Sequence, residues 1–131
     1  MVPLKERKWI LIVDDDASVR LMLSRVLTDE GYGVLTSANS NEALGLAETL
    51  SVDLLLLDLN MPGGDGWSVL RQLEAKNIAP TTIIITALPN QQAAARAAGV
   101  EMVLEKPLDF PRLIQAVSQV LARPMNSNPS P

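Results

Sequence analysis

Six side chains of this sequence carry chemistry and each follows a short apolar run: Asp14 and Asp15, Asp58 and Asn60, Thr86, and Lys106. Asp14, Asp15 and Asp58 hold three negative charges if they meet. Crowded carboxylates repel and rise in pKa unless compensated. A divalent cation together with the Lys106 ammonium balances them. Magnesium suits such a set, because it prefers oxygen ligands, keeps several waters and takes one or two carboxylates plus a phosphate. Asn60, two residues past Asp58, could add its backbone carbonyl. A carboxylate can attack phosphorus to form an acyl phosphate. Phosphoryl transfer asks mainly for positioning and charge neutralisation. The cation, Lys106 and the Thr86 hydroxyl could each bind one phosphoryl oxygen.

Composition narrows the chemistry further. The 131 residues include no histidine and no cysteine. Imidazole bases, thiolate metal sites and disulfides are therefore excluded. The net charge is −4 and the eleven Lys and Arg are scattered, so no basic stripe invites direct nucleic-acid binding. Apolar runs such as Trp9–Val13 and Leu54–Leu57 fall far short of the roughly 20 residues a bilayer span needs. Lys5, Arg7 and Lys8 before Trp9–Val13 imitate a signal peptide, but the apolar stretch is short and Asp14 ends it. A cytoplasmic protein is expected.

The elements that must position these side chains alternate. Trp9–Val13 reads as a strand, followed by a helix from about Ala17 to Glu30 that Gly31 stops. Asp16 is expected to cap that helix. Gly33–Ser37 is a second strand, and Ser40 or Asn41 caps a helix to about Leu50. Asp53–Leu57 is a third strand ending at Asp58, apolar throughout, as in a sheet covered on both faces. Asn60–Gly66, with Pro62, Gly63 and Gly64, is a loop. A helix over Trp67–Lys76 precedes a strand at Thr81–Thr86. An alanine-rich helix from Pro89 to Ala98 ends at Gly99, a fifth strand covers Met102–Glu105, and Asp109 caps a last helix striped by Leu113, Ile114, Val117, Val120 and Leu121. Five βα units imply an α/β fold with a parallel sheet and helices on both faces. Ligands of such sheets bind outside the carboxyl ends of the strands, where the six side chains fall.

Each feature alone has a plainer reading. Asp14–Asp16 could be a helix N-terminus, Asp58 a turn residue, Thr86 an ordinary strand residue and Lys106 a solvated surface lysine. Four strand ends that each carry what the chemistry requires outweigh those readings. Asp58-Leu59-Asn60 is not a calcium loop, since Pro62 stands at a ligand position and Val69 where the bidentate acid belongs. Gly63-Gly64-Asp65-Gly66 is not a phosphate loop, since no Gly-Lys-Ser/Thr follows.

The pieces ILIVDDD, LLLLDLNMPGGDGW, IIITA and EKP, in this order and spacing across about residues 8–122, resemble the receiver domain of bacterial two-component response regulators. The resemblance implies a flavodoxin-like, doubly wound (βα)5 fold with strand order 2-1-3-4-5. It implies that Asp58 is the phosphoacceptor, with Mg2+ (or Mn2+) held by Asp15 directly, by Asp14 through water, by Asp58 and by the Asn60 carbonyl. Lys106 would contact the phosphoryl group and Thr86 would move to bind it. The Lys106–Pro107 peptide is often cis in this family. The phosphoryl donor would be a sensor histidine kinase, a histidine phosphotransfer protein or a small phosphodonor. The readout would be a protein target, from a monomer or a weak phosphorylation-dependent dimer, with no turnover of a separate substrate.

The sequence departs from the family at Val103, where Tyr or Phe often stands and rotates inward with the threonine. A stiff β-branched side chain cannot do so. Leu88, two residues past Thr86, cannot orient an attacking water, which implies slow loss of the phosphoryl group. Two rival functions are a haloacid-dehalogenase-like phosphatase, for which Asp14-Asp15-Asp16 fits the start of the Asp-x-Asp motif, and a pseudo-receiver that takes no phosphate. The first leaves Asp58 without a role and has Ser18 where Thr or Val is expected. Only Val103 favours the second. Residues 1–7 read as a lead, 8–122 as the domain, and 123–131 as a disordered tail or truncated linker.

Overall fold

The computed structural model describes residues 7–61 and 66–122. Five strands, β1 (Trp9–Val13), β2 (Gly33–Ser37), β3 (Leu54–Asp58), β4 (Thr81–Thr86) and β5 (Met102–Glu105), alternate with five helices. These are α1 (Ala17–Asp29), α2 (Ser40–Thr49), α3 (Gly66–Ala75), α4 (Gln92–Ala97) and α5 (Phe110–Leu121). The strands are parallel in the order β2-β1-β3-β4-β5. This is the doubly wound α/β fold expected from the alternation.

The continuous apolar runs have a simple cause. Successive strand side chains point to opposite faces, and both faces are covered by helices. Ile10, Ile12, Leu54, Leu56, Ile83 and Ile85 pack with Leu23 and Leu27 of α1 and Leu113, Val117 and Val120 of α5. Their neighbours Leu11, Val13, Leu55 and Leu57 face the other way, against Ala43, Leu44 and Ala47 of α2 and Val69 and Leu73 of α3. A smaller cluster joins Leu59, Ile84 and Ala95 of α4, with Trp67, Leu70, Val100 and Val103 around it. Of the stripe on α5, Leu113, Val117 and Val120 are therefore core, Leu121 packs against them, and Ile114 is half-buried.

Local signals set most helix ends. The Asp16 carboxylate accepts from the Ser18 and Val19 amides at the start of α1, and that of Asp109 accepts from the Arg112 amide at the start of α5. Gly31 (φ +100) and Gly99 (φ +78) take the left-handed conformation that ends α1 and α4. Several boundaries differ from the sequence reading. Asn39, not Ser40 or Asn41, caps α2, its Oδ1 accepting from the Glu42 amide at 2.9 Å. The run Asn39-Ser40-Asn41 offers three competent caps, and only the entry of the chain from β2 selects among them. Helix α4 is shorter than Pro89–Ala98, because Asn90 adopts φ +62 and breaks the turn after Pro89. Asp53 lies just before β3, where its carboxylate accepts from the Trp9 amide at 2.7 Å. Gly66, assigned to the loop, opens α3. Residues 62–65 of the expected loop, the lead before Arg7 and the tail from residue 123 lie outside the described residues.

Gly66 is fixed there by space. A Cβ on it would lie 2.7 Å from the Asp58 carbonyl oxygen and 3.0 Å from the Leu59 Cα, both backbone atoms that cannot step aside. Gly45, inside α2, has nothing within 4 Å of such a Cβ. Gly66→Ala is therefore expected to destabilise the protein by about 2 kcal/mol. Gly45→Ala should stabilise it by about 1 kcal/mol. Urea unfolding of both variants checks the pair, and equal shifts would refute the packing assignment.

Candidate functional site

Strand register assembles the site. Val13 pairs with Leu57, so Asp14 and Asp58 emerge side by side from the carboxyl ends of β1 and β3. Thr86 pairs with Glu105 across β4 and β5, and the Lys106 amide donates to the Thr86 carbonyl at 2.8 Å. Adjacent strands lie about 4.8 Å apart, so the long Lys106 side chain can cross back over β4 toward β3. Its Nζ lies 3.1 Å from Asp14 Oδ2 and 3.5 Å from Asp58 Oδ2. The Lys106–Pro107 peptide is cis.

Asp14, Asp58 and Thr86 are buried, whereas Asp15 and Asn60 are exposed at the mouth. One carboxylate oxygen each from Asp14, Asp15 and Asp58 lie within 4.8 Å of one another. All donors are oxygen, which fits a hard divalent cation such as Mg2+ and excludes a soft one. Asp14 Oδ1 is already engaged by the Asp16 amide at 2.9 Å, and Asp58 Oδ1 by the Asn60 amide at 3.1 Å. These turns aim the remaining oxygens, both bound to Lys106, into the pocket.

The electrostatics follow from burial. Desolvation pushes the Asp58 carboxyl above its ordinary range, the Asn60 amide draws it back, the charge of Asp14 raises it again and Lys106 offsets part of the rise. Burial alone would lower the Lys106 ammonium. Its hydrogen bond to Asp14 and the charges of Asp14 and Asp58 outweigh burial and hold it above its usual value.

The pocket thus unites Asp14, Asp15, Asp58 and Lys106, with Asn60 bonded to Asp58. Thr86 sits one strand over, its Oγ1 accepting from the Leu88 amide at 3.0 Å while the Leu88 side chain is exposed. Val103 lies apart from the acids, half-buried against the cluster that contains Trp67 and Ala95. Asp16 spends its carboxylate on the α1 cap and faces solvent. One residue that sequence reasoning missed touches the site: Arg20 Nη1 donates to the Asp14 carbonyl at 2.7 Å. Its only signal in the sequence was a place one helical turn beyond the Asp16 cap.

A doubly wound sheet with an acidic pocket and a bridging lysine at its carboxyl edge defines a class of small signalling folds. The model of the response regulator receiver domain matches residues 10–118, and the chain belongs to that family, which serves two-component systems. It is 36% identical over 113 residues to the DNA-binding transcriptional regulator NtrC of Klebsiella pneumoniae, covering 85% of this chain and 24% of that one. It is 34% identical over 117 residues to the transcriptional regulatory protein PdtaR of Mycobacterium tuberculosis, covering 87% and 57%. The chain therefore spans between a quarter and about three fifths of these relatives' lengths. Among solved structures, the receiver domain of a LuxO repressor protein from Vibrio parahaemolyticus superposes with a TM-score of 0.84 at 28% identity, covering 89% of this chain and 92% of that one. The response regulator TrrA of Thermotoga maritima, in complex with Mg2+ and BeF, gives 0.78 at 30%, covering 86% and 98%. Among the described residues no helix is long and apolar enough to cross a membrane.

The raised Asp58 pKa makes a stability prediction. The folded protein holds that proton to higher pH than the unfolded chain does, so ionised Asp58 costs stability at neutral pH. In chelator at pH 7, Asp58→Asn should stabilise the protein, on the order of 1 kcal/mol. The gain should shrink as pH falls through the folded-state value and vanish below the ordinary aspartate value of about 3.9. Thermal melts across that range test this, and a gain independent of pH would point to packing instead.

Proposed function

We propose that this domain takes a phosphoryl group onto Asp58 in an Mg2+-dependent reaction and uses the modification to switch its contacts with other proteins. The observation that carries this reading is the Lys106 ammonium set between two buried carboxylates, within reach of both. Asp15 brings a third carboxylate to the same group, and a divalent cation would balance the excess of negative charge.

Asp15, Asp14, Asp58 and the Asn60 carbonyl would hold the ion, Asp14 through water. The ion in the Thermotoga relative supports that identity. Bound there, it would neutralise developing charge on the phosphoryl oxygens. The donor is a phosphohistidine of a sensor histidine kinase or phosphotransfer protein, or a small phosphodonor. An oxygen of Asp58 forms the new P–O bond as the donor's bond to phosphorus breaks, its electron pair leaving on the donor atom. Lys106 turns its ammonium to a phosphoryl oxygen, and the Thr86 hydroxyl exchanges its bond with the Leu88 amide for another. Burial and the charge of Asp14 raise the Asp58 carboxyl, and a cation bound there would act in the opposite sense and favour the charged nucleophile. With Val103 in place of an aromatic side chain, the signal leaves the site through Thr86 and the β4–α4 loop. No separate substrate is turned over.

Intact mass after incubation with acetyl phosphate and Mg2+ tests the reading. Wild type should gain about 80 Da, one phosphoryl group, only with Mg2+, and Asp58→Asn should gain none. Absence of any gain while Mg2+ binds would favour a phosphate-free interaction module. Sustained hydrolysis of a phosphomonoester would favour the phosphatase reading. Because exposed Leu88 offers no polar atom to a water, the acyl phosphate should be long-lived in a chase. Leu88→Gln should shorten its lifetime, by up to about tenfold, and an already short lifetime in wild type would refute the role given to Leu88.

A further inference from the structure

Asp15 is the exposed member of the acidic group, and nothing in its own burial holds it in place. Its position is set by the peptide that joins it to Asp14. That peptide is gripped from several sides. Just before it, the Asp14 amide, part of the Val13–Asp14 peptide, donates to the Ser37 carbonyl of β2 at 3.1 Å. The Asp14 carbonyl accepts from Arg20 Nη1 at 2.7 Å, a short bond with a charged donor. The backbone amide of Arg20 donates to the Asp16 carbonyl at 3.0 Å, so one residue of α1 ties down both ends of the Asp14–Asp16 turn. The Asp14 carboxylate braces the turn from one side, its Oδ1 accepting from the Asp16 amide at 2.9 Å, and Arg20 is the side chain that holds the Asp14–Asp15 peptide at its carbonyl.

We propose that Arg20 is a positioning residue for the divalent cation: by holding the Asp14 carbonyl it fixes the Asp15 carboxylate where it can join Asp14 and Asp58. The inference rests on the metal-dependent reading above. Partners that orient metal ligands from outside the coordination sphere are commonly worth 10 to 100-fold in affinity. The charge of Arg20 acts in the opposite sense. A guanidinium beside a cation site repels the cation, so its removal by charge alone would tighten binding. The two effects predict opposite signs, and this makes the assignment decidable.

The test is calorimetric titration of the full chain, stripped with chelator, with MgCl2. Arg20→Ala and Arg20→Gln should each bind Mg2+ about tenfold more weakly than wild type. Arg20→Lys, which keeps a charged donor on a long stem, should lie closest to wild type. Urea unfolding in chelator accompanies each titration, and if Arg20→Ala does not fold, Arg20→Gln is judged by the same criterion. Lower stability with unchanged Mg2+ affinity would reduce Arg20 to a helix-packing residue and overturn the proposal. Tighter binding would show that its charge, not its hydrogen bond, governs the site, and would overturn it as well. If wild type itself binds no Mg2+, the metal-dependent reading fails and the role of Arg20 falls with it, whereas normal binding by wild type and both variants sinks the role of Arg20 alone.

Discussion

Two buried carboxylates, Asp14 and Asp58, stand side by side at the edge of the sheet, and charges of one sign cannot be buried together without compensation. Lys106 supplies it from a point 92 residues along the chain from Asp14. The rest of the fold can be read as the means of keeping that contact. Strands β1 and β3 must be neighbours in a register that brings Asp14 beside Asp58, and β5 must lie close enough for one lysine stem to reach back. Helices on both faces exclude water, which strengthens the ion pairs and also raises the Asp58 carboxyl.

The site is consequently a place of strain that the apolar scaffold tolerates. Desolvating Asp58 works against stability, while the leucine- and isoleucine-rich strands buried on both faces supply the surplus. A buried carboxylate beside further negative charge gains stability from a neighbouring cation, as Asp58 does from Lys106. Gly66 belongs to this economy of space, since only a residue without a Cβ lets α3 begin directly against the Asp58 carbonyl.

Val103 lies in the small interior cluster beneath α4. The half-buried aromatic side chain in the cluster beneath α4 is Trp67 of α3, while β5 contributes a valine. Helix α4 itself is short and alanine-rich, and Ala95 is its only buried residue. Small side chains there bury little area, so α4 is held less firmly than α1 or α5. Whatever leaves the site toward α4 meets a loosely held element.

Composition and periodicity determined much of this protein. Strands β1, β2, β4 and β5 fall where the apolar runs begin and end, because a strand buried on both faces must be apolar throughout and stops where a polar group has to reach water. Asp16, Asp109, Gly31 and Gly99 marked helix ends through local hydrogen bonding and backbone freedom alone. The residue types at four strand ends already limited any metal ligands there to oxygen, since no imidazole or thiol is present. Boundaries that depend on how the chain enters an element, at Asn39 and Asn90, were not legible, because several neighbouring residues satisfy the same local rule. The distances that make a pocket of scattered acids were not legible either. Register between strands far apart in sequence placed Asp14 beside Asp58 and carried Lys106 to both. The grip of Arg20 on the Asp14 carbonyl belongs to the same category, for a hydrogen bond between a side chain and a backbone atom leaves no trace in residue spacing until the helix has been packed against its strand.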